Sequence, residues 1–220
     1  MNRIVYVILI LAFYGLLALA ISTLAASWDL PSVWRVLSIQ CLLSSVAVVK
    51  IDPELLSERL RPKGKDQDPL GRPIISLLFL LHYGLAIIDL SKWHYSDQVP
   101  NLVQSASLLA IALGWSGFFW SMQVNKFFSS AIRLQPDRGQ SVVSVGPYKW
   151  IRHPGYAFAS LAMIFDAPAL GSWISILPQI LLVAYLIYRT QLEEKLLMTQ
   201  LDGYKEYAQK VRFRWLPGIW

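Results

Sequence analysis

The stretch IVYVILILAFYGLLALAISTLAA, residues 4–26, contains no charged side chain. A helix needs about 20 consecutive apolar residues to cross the hydrocarbon core of a bilayer, and this run is long enough. It is longer than the apolar core of a secretory signal and ends without a clear small-residue cleavage site. We therefore interpret it as a retained membrane helix, with a cleaved signal peptide as the alternative.

The rest of the 220-residue chain has the same character, since 55% of it is hydrophobic and only 15% is charged. Soluble domains contain about 25% charged residues. Three further apolar runs cover residues 31–49, 73–90 and 101–124, and two shorter ones cover residues 156–165 and 173–188. Between the two short runs lies DAPALGS, whose Pro168 and Gly171 are expected to break the helix. The pattern predicts an all-α polytopic transmembrane helix bundle with a C-terminal helical hairpin.

Lysine and arginine are distributed unevenly among the connecting segments. Segment 50–72 contains six of them, segment 90–100 contains one, segment 125–153 contains five and the DAPALGS turn contains none. Cytoplasmic loops are enriched in these residues. With an even number of crossings, the distribution predicts that both termini and the two basic segments face the cytoplasm. Five or six membrane helices fit the apolar runs.

Composition also argues against several kinds of ligand. The net charge of +6 comes from residues between the apolar runs, without a basic stripe interleaved with exposed aromatics, so no nucleic acid is expected. The single cysteine, Cys41, permits neither an intrachain disulfide nor a cysteine metal cluster, and no metal site is predicted. The loop ERLRPKGKDQDPLGRP, residues 58–73, mixes both charge signs with Gly and Pro. We interpret it as a solvated connector and assign it no chemistry.

Three ionisable residues lie inside or beside the apolar runs: Arg35, His82 and Asp89. Such residues are costly in a membrane and are candidates for function. Arg35 and Asp89 lie near helix ends, from which their charges are expected to reach the interface. His82 is expected to form hydrogen bonds within the bundle rather than to bind a ligand.

Polar residues concentrate after residue 125, in two blocks that flank the predicted hairpin. The first block contains GPYKWIRHPGY, residues 146–156, and the second contains RTQLEE, residues 189–194. Because the hairpin turn lies on the far side of the membrane, its two other ends are neighbours. The topology therefore predicts a composite site at which these two blocks meet.

Spacing within the blocks suggests which side chains face this site. His153 and Tyr156 follow a turn stiffened by prolines and are expected to project towards one cavity. Arg189 and Glu193 are four residues apart on a helix and share a face, whereas Glu194 points about 100° away. Donors, a guanidinium and a carboxylate suit a zwitterionic ligand. The alternative is that Arg189 and Glu193 form only an interfacial ion pair.

The ordered set GPY, RHPxY, apolar hairpin, EE, GYxEY and RFRWLPG resembles the isoprenylcysteine carboxyl methyltransferase family, within a wider group that includes phospholipid N-methyltransferases. The resemblance covers residues 125–220. RHPxY alone is less specific, because membrane reductases that act on sterols carry a similar motif. The whole ordered set is typical of the methyltransferases.

The resemblance implies an integral membrane methyltransferase that uses S-adenosylmethionine and acts on a lipidic acceptor, most simply the carboxylate of a prenylcysteine-like substrate. Residues 1–124 would form four membrane helices with the cytoplasmic loop 50–72, and residues 125–220 would form the catalytic region. The active site would face the cytoplasm, from the endoplasmic reticulum of a eukaryote or the inner membrane of a bacterium.

The same resemblance assigns roles to individual residues. The implied cofactor-binding residues are Gln140, Ser141, Val142, Val143, Tyr148, His153, Pro154, Gly155 and Tyr156. Arg189, Glu193 and Glu194 are the implied catalytic residues, and Arg189, Glu193, Arg212 and Arg214 the implied substrate-binding residues. Phe158 departs from the family, which often has a small residue at this position. Its larger side chain predicts a narrower cofactor cavity or a shifted substrate tunnel. Gly155 replaces a bulkier residue and predicts added flexibility.

Three other functions stay open at this point. A sterol-type reductase would bind NADPH, with Lys149 and Arg152 available for the extra phosphate. A phospholipid N-methyltransferase would need a base, for which Glu193 or Glu194 is the candidate. A non-enzymatic membrane protein, favoured by Phe158, would bind neither nucleotide.

Overall fold

The computed structural model describes residues 3–220, and these residues form eight α-helices and no strand. The helices are α1 (Arg3–Ala25), α2 (Pro31–Lys50), α3 (Pro53–Leu60), α4 (Gly71–Ile88), α5 (Asn101–Val124), α6 (Pro154–Leu170), α7 (Ile176–Gln200) and α8 (Tyr204–Lys210). A π-helical turn, Asp89–Trp93, continues α4. The predicted all-α bundle is confirmed.

Four helical stretches among the described residues are long and apolar enough to cross a membrane: Arg3–Ala25, Pro31–Lys50, Gly71–Trp93 and Asn101–Val124. They coincide with the four long apolar runs of the sequence. Pro31 opens α2 at its first turn, where a missing backbone N–H has no intrahelical partner to lose. Length and apolarity therefore predicted these helices within a few residues of their ends.

The main core lies where α1, α2, α4 and α5 meet the far end of α6. Val33, Val36, Ala86, Ile111 and Leu170 are fully buried there. The outward faces of the same helices carry large exposed apolar side chains, which suits contact with lipid.

The prediction for the hairpin turn is half correct. The chain turns at Gly171, whose φ of +94° ends α6 in the left-handed conformation that favours glycine. Pro168, in contrast, does not break α6, which continues through it to Leu170. Only the last turn of the helix is affected, and the carbonyls of Ala167 and Pro168 both accept the N–H of Gly171.

Helix α7 is longer than its apolar run predicted, because it extends from Ile176 to Gln200. The apolar run of residues 173–188 and the polar RTQLEE segment therefore belong largely to one continuous helix. A rigid helix thus fixes the positions of the polar residues relative to the bundle.

Helices α5 and α6 pack closely because α5 has glycine at two facing positions. A Cβ at Gly114 would lie 2.7 Å from the backbone nitrogen of Ala162, and one at Gly117 would lie 2.4 Å from the Phe158 ring. Small residues permit such close approach between membrane helices. Phe158 therefore fills the space over Gly117.

Buried polar groups at the other end of the bundle correct one prediction and confirm another. The Asp89 carboxylate is not exposed at its helix end: it is fully buried within the protein and accepts hydrogen bonds from the hydroxyls of Ser96 and Ser172 at 2.5 and 2.6 Å. His82 is hydrogen-bonded inside the bundle as predicted, with ring nitrogens 2.7 Å from the Ser175 carbonyl and 3.1 Å from Asp166. Arg35 is exposed near the start of α2, as expected.

Gly114→Ala is expected to destabilise the bundle by roughly 1–3 kcal/mol, because the new methyl group meets backbone and α5 and α6 must separate. Gly84→Ala is the matched control, since a Cβ at that helical position would meet no atom within 4 Å. Thermal unfolding in detergent measures both. Equal unfolding temperatures for the two variants would contradict the close α5–α6 packing.

Candidate functional site

The two polar blocks that flank the hairpin meet at Glu194 of α7. The ring Nε2 of His153 lies 2.8 Å from Glu194 Oε2, and Arg152 Nη2 lies 2.8 Å from Glu194 Oε1. All three side chains are buried. The RHPGY and RTQLEE segments are therefore neighbours, as the hairpin topology predicted.

The C-terminal segment is held against the same place by backbone pairing. The N–H groups of Arg152 and His153 donate to the carbonyls of Phe213 and Arg214, each at 2.9 Å. The Arg152 guanidinium adds bonds to the carbonyls of Val211 and Arg212 at 2.7 and 2.8 Å. The arginine-rich end of the chain thus supports the RHPGY segment through its backbone.

The segment between α2 and α4 is exposed over much of its length, as its interpretation as a solvated connector implied, but both of its ends fold onto the site. Asp68 is buried and its Oδ2 lies 2.9 Å from Nη1 of Arg189 on α7. The Tyr185 hydroxyl contacts the same carboxylate at 2.7 and 2.9 Å. A Cβ at Gly71 would clash with that Arg189 nitrogen and with the Asp68 carboxylate, so a larger residue there would displace the ion pair. Arg189 is thus paired with Asp68 rather than with Glu193.

A second ion pair fastens this segment to the loop after α5. Glu58 of α3 accepts from Nη2 of Arg133 at 3.0 Å, with both side chains almost completely buried. The backbone N–H of Gln67 donates to the carbonyl of Ile132 at 2.9 Å. The two basic segments of the sequence therefore lie together at one end of the bundle.

A cavity of about 460 Å³ lies between these segments and the helices. At the end formed by the loop segments and the second half of α7, the lining contains most of the polar groups of the cavity, beside apolar ones such as Phe127 and Val142. These polar residues include Asn125, Ser130, Gln135, Tyr148, Arg189 and Glu193. At the other end it continues among apolar side chains of α4, α5, α6 and α7, including Ile75, Phe79, Trp115, Met163 and Leu186. The cavity thus has two connected parts: a polar chamber, bordered by the loop segments and the second half of α7, and an apolar arm, bordered by α4, α5, α6 and the first half of α7.

Most of the residues predicted from the sequence line this cavity. They are Gln140, Ser141, Val142, Val143, Tyr148, His153, Gly155, Tyr156, Arg189 and Glu193. Pro154, Glu194, Arg212 and Arg214 are not among its lining residues. Glu194 is held by Arg152 and His153, with Arg214 Nε 3.4 Å away, and Arg212 lines a separate groove with Lys149 and Lys210. Phe158 also lies outside the lining, so it does not narrow the cavity directly.

Tyr156, Arg189 and Glu193 meet at the junction of the polar chamber and the apolar arm. The Tyr156 hydroxyl interacts with both the Arg189 guanidinium and the Glu193 carboxylate. Glu193 is half-buried and forms no ion pair within 4 Å with any basic side chain of residues 3–220. At the junction, the charge of Arg189 is thus compensated by Asp68, whereas the Glu193 carboxylate has no ion-pair partner and can contact a ligand.

Three tyrosines provide neutral donors at the polar end. Burial raises the pKa of Tyr148, Tyr204 and Tyr207, so their hydroxyls stay protonated at physiological pH. Tyr207 donates to the Tyr148 carbonyl at 2.8 Å, and Tyr148 accepts from Asn125 at 3.1 Å. The buried Tyr204 hydroxyl has no hydrogen-bond partner within residues 3–220 and lines the cavity.

Gly155 is required for space in this structure. A Cβ there would lie 2.6 Å from the ring of Phe128, another lining residue. The glycine allows the loop after α5 to approach the start of α6, and Gly155 itself lies in the first turn of that helix. A larger residue at this position would therefore displace the Phe128 ring, and the added flexibility stays a prediction.

Sequence reasoning missed the lining residues of the segment between α2 and α4 and of the loop that starts at Asn125. These include Arg59, Arg72, Ser129, Ser130 and Gln135. Tyr204 and Tyr207 belong to the GYxEY motif, which is the signal that pointed to α8. Residues 3–220 contain no cluster of three or more His, Cys, Asp or Glu side chains placed to hold a metal ion.

The fold and cavity define a polytopic helical membrane protein with a mixed polar and apolar binding site. Residues 106–199 match the model of the isoprenylcysteine carboxyl methyltransferase (ICMT) family, and the resemblance found in the sequence is thereby confirmed for the part from GPY to EE. The matched segment contains most of α5, all of α6 and nearly all of α7. A comparison with curated proteins found no match. The family and the four apolar helices together support a membrane methyltransferase.

Asp68→Ala is expected to cost about 3–5 kcal/mol of unfolding free energy, because it leaves the buried Arg189 cation without a partner. Tyr185→Phe, which removes only a hydrogen bond to the same carboxylate, is expected to cost about 1 kcal/mol. Chemical denaturation in detergent measures both. A loss in Asp68→Ala no larger than that in Tyr185→Phe would contradict the central role of this ion pair.

Proposed function

We propose that this protein is an S-adenosylmethionine-dependent methyltransferase whose acceptor is the carboxylate of a prenylcysteine-like lipid. The observation that carries the proposal is the single cavity with a polar chamber and an apolar arm. A charged, water-soluble cofactor and a lipid acceptor need opposite surroundings and must meet where these join. The ICMT family match covers most of the residues in that junction.

The cavity as a whole has the size of a small-molecule site, and the chemistry of its polar chamber suits S-adenosylmethionine. A volume of about 460 Å³ falls within the usual range of small-molecule sites, roughly 300–1,000 Å³. The neutral Tyr148 hydroxyl accepts from Asn125 and donates to no group of residues 3–220, so its proton can hydrogen-bond a polar group of the cofactor. The residues that would hold it are Gln140, Ser141, Val142, Val143, Tyr148, His153, Gly155 and Tyr156. When bound, this cofactor supplies an electrophilic methyl group on a sulfonium sulfur.

Pro154 and Glu194 act in this proposal by positioning other groups. Pro154 starts α6 and fixes the backbone next to His153. Glu194 holds the His153 ring through the 2.8 Å contact and also fixes Arg152. Arg212 and Arg214 contribute their carbonyls to the backbone support of the RHPGY segment.

The apolar arm would hold the lipid tail and bring the acceptor carboxylate to Tyr156, Arg189 and Glu193. A carboxylate is already ionised at neutral pH, so its methylation needs orientation and removal of water rather than a strong base. Arg189 shares its charge with Asp68 at 2.9 Å. It therefore orients an acceptor without fully neutralising the oxygen that attacks the methyl group.

An amine-bearing phospholipid is a second candidate acceptor, and Glu193 is the observation that favours it. A half-buried carboxylate without an ion pair of its own can attract an ammonium group and accept its proton. In this case the proton must leave before the nitrogen attacks. Glu193 would therefore act as a base towards an amine acceptor, whereas a carboxylate acceptor needs no base.

The membrane orientation is part of the proposal. The two basic segments lie together at the cavity end of the bundle, and the positive-inside rule assigns such an end to the cytoplasm. The cofactor would then enter from the compartment where it is made. The acceptor would enter from the bilayer.

The test is binding of S-adenosylmethionine and, separately, of NADPH to the detergent-purified protein, measured by tryptophan fluorescence, followed by transfer of a labelled methyl group to a prenylated cysteine. His153→Ala is expected to lose cofactor binding with its helices intact. Arg189→Lys keeps the charge opposite Asp68 but loses the planar fork, so it is expected to bind cofactor and lose transfer at least about tenfold. NADPH binding in place of S-adenosylmethionine, or no binding of either, would refute the proposal.

Glu193→Gln separates the two acceptor classes. If the acceptor is a carboxylate, no proton must be removed, and kcat is expected to fall by less than about tenfold. If it is an amine, loss of the base is expected to lower kcat by roughly 10²–10⁴. Steady-state transfer to a prenylcysteine and to phosphatidylethanolamine measures this. A loss of the larger size with the prenylcysteine would contradict the base-free mechanism.

A further inference from the structure

Five arginines line the cavity, and they differ in how their charges are balanced. Arg133, Arg152 and Arg189 have carboxylate partners at 3.0, 2.8 and 2.9 Å, supplied by Glu58, Glu194 and Asp68. Within residues 3–220, no carboxylate lies within 4 Å of Arg59 or Arg72. Two cations thus remain for a ligand.

Of these two, Arg59 is the one that the protein holds in place. Its guanidinium lies 5.4 Å from the ring centre of Phe118 and 5.1 Å from that of Phe128, between α5 and the loop that follows it. Its Nη1 donates to the Ser129 carbonyl at 2.8 Å. Arg72 is exposed and has no such support.

The guanidinium of Arg59 keeps most of its hydrogen-bonding capacity unused. An arginine has five N–H donors in a planar fork, and the bond to Ser129 is the one side-chain hydrogen bond that Arg59 forms with residues 3–220. Removal from water lowers the pKa of Arg59 to about 10, so the group is still charged at neutral pH. Contact with two aromatic rings offsets part of the cost of this charge.

The surrounding charges do not provide the missing partner. Arg189 repels Arg59, and Glu193 attracts it from a distance greater than that of an ion pair. A ligand with a carboxylate can supply the counter-charge, and an ammonium group on the same ligand can face Glu193. Charge-assisted bonds of this kind are among the strongest that a site can form.

We propose that Arg59 is a binding residue for the carboxylate group of a ligand in this cavity. The inference rests on the proposed function, because it takes the ligands to be the cofactor and the acceptor, each of which carries a carboxylate. It adds a residue from the segment between α2 and α4, outside residues 106–199 of the family match. The segment thus contributes to ligand recognition as well as to the cavity wall.

The test compares ligands with and without the carboxylate. Binding of S-adenosylmethionine and of its decarboxylated form, and of a prenylcysteine and of its carboxamide, is measured by tryptophan fluorescence in detergent. Arg59→Gln keeps a donor for Ser129 and removes the charge, whereas Arg59→Lys keeps the charge. Arg61→Gln, at an exposed arginine outside the cavity lining, is the matched control.

The wild type is expected to prefer the carboxylate form of at least one pair by roughly tenfold or more. Arg59→Gln is expected to lose that preference, Arg59→Lys to keep part of it and Arg61→Gln to keep all of it. Loss in the first pair assigns Arg59 to the cofactor, and loss in the second pair assigns it to the acceptor.

Two results would overturn the inference by itself. In the first, Arg59→Gln keeps the wild-type preference in both pairs. In the second, it weakens both members of a pair equally, which is the result of a packing defect and would be accompanied by a lower unfolding temperature. Failure of the wild type to bind any of the four ligands would instead refute the proposed function, and this inference would fall with it.

Discussion

The ion pair between Asp68 and Arg189 is the interaction on which the rest of the site depends. Both side chains are buried, and their 2.9 Å contact joins the segment before α4 to the polar half of α7. An unpaired buried charge is costly, so the segment cannot leave without removing the counter-charge of Arg189. Gly71 leaves room for the contact, because a Cβ there would clash with the Arg189 guanidinium and the Asp68 carboxylate as they are placed. The pair thus holds the segment between α2 and α4 against the cavity.

The remaining walls follow the same constraint, that polar groups near the membrane must be paired. Glu194 contacts both Arg152 and His153. Arg152 also donates hydrogen bonds to backbone carbonyls of the C-terminal segment. Once these pairs are formed, most of the charge at this end of the bundle is balanced. Among the groups that line the cavity, the Arg59 and Arg72 guanidiniums and the Glu193 carboxylate form no ion pair within residues 3–220, and a ligand would meet these charges. The charged side chains that have no ion-pair partner within the protein therefore define which ligand groups the site can bind.

Much of the helical fold was predictable because a membrane helix is encoded locally. A run of about 20 apolar residues is sufficient evidence, and residues 4–26 and 101–124 show it plainly. The meeting of RHPGY with RTQLEE also followed from topology, since both ends of a hairpin lie on one side. Pro168 and Asp89 were misjudged for the opposite reason: whether a proline ends a helix or an aspartate reaches water depends on neighbours that sequence spacing does not reveal. The Asp68–Arg189 and Arg59–Phe118 contacts join distant parts of the chain and leave no local pattern at all.

The central claim is that the polar chamber binds S-adenosylmethionine between the segment after α5, the RHPGY turn and α8. The most direct measurement is photoaffinity labelling of the detergent-purified protein with radiolabelled S-adenosylmethionine, followed by mapping of the labelled peptides. The account predicts label in peptides from residues 125–156 and around Tyr204, reduced by an excess of unlabelled cofactor. Competable label confined to other segments, or label that excess cofactor does not reduce, would contradict it.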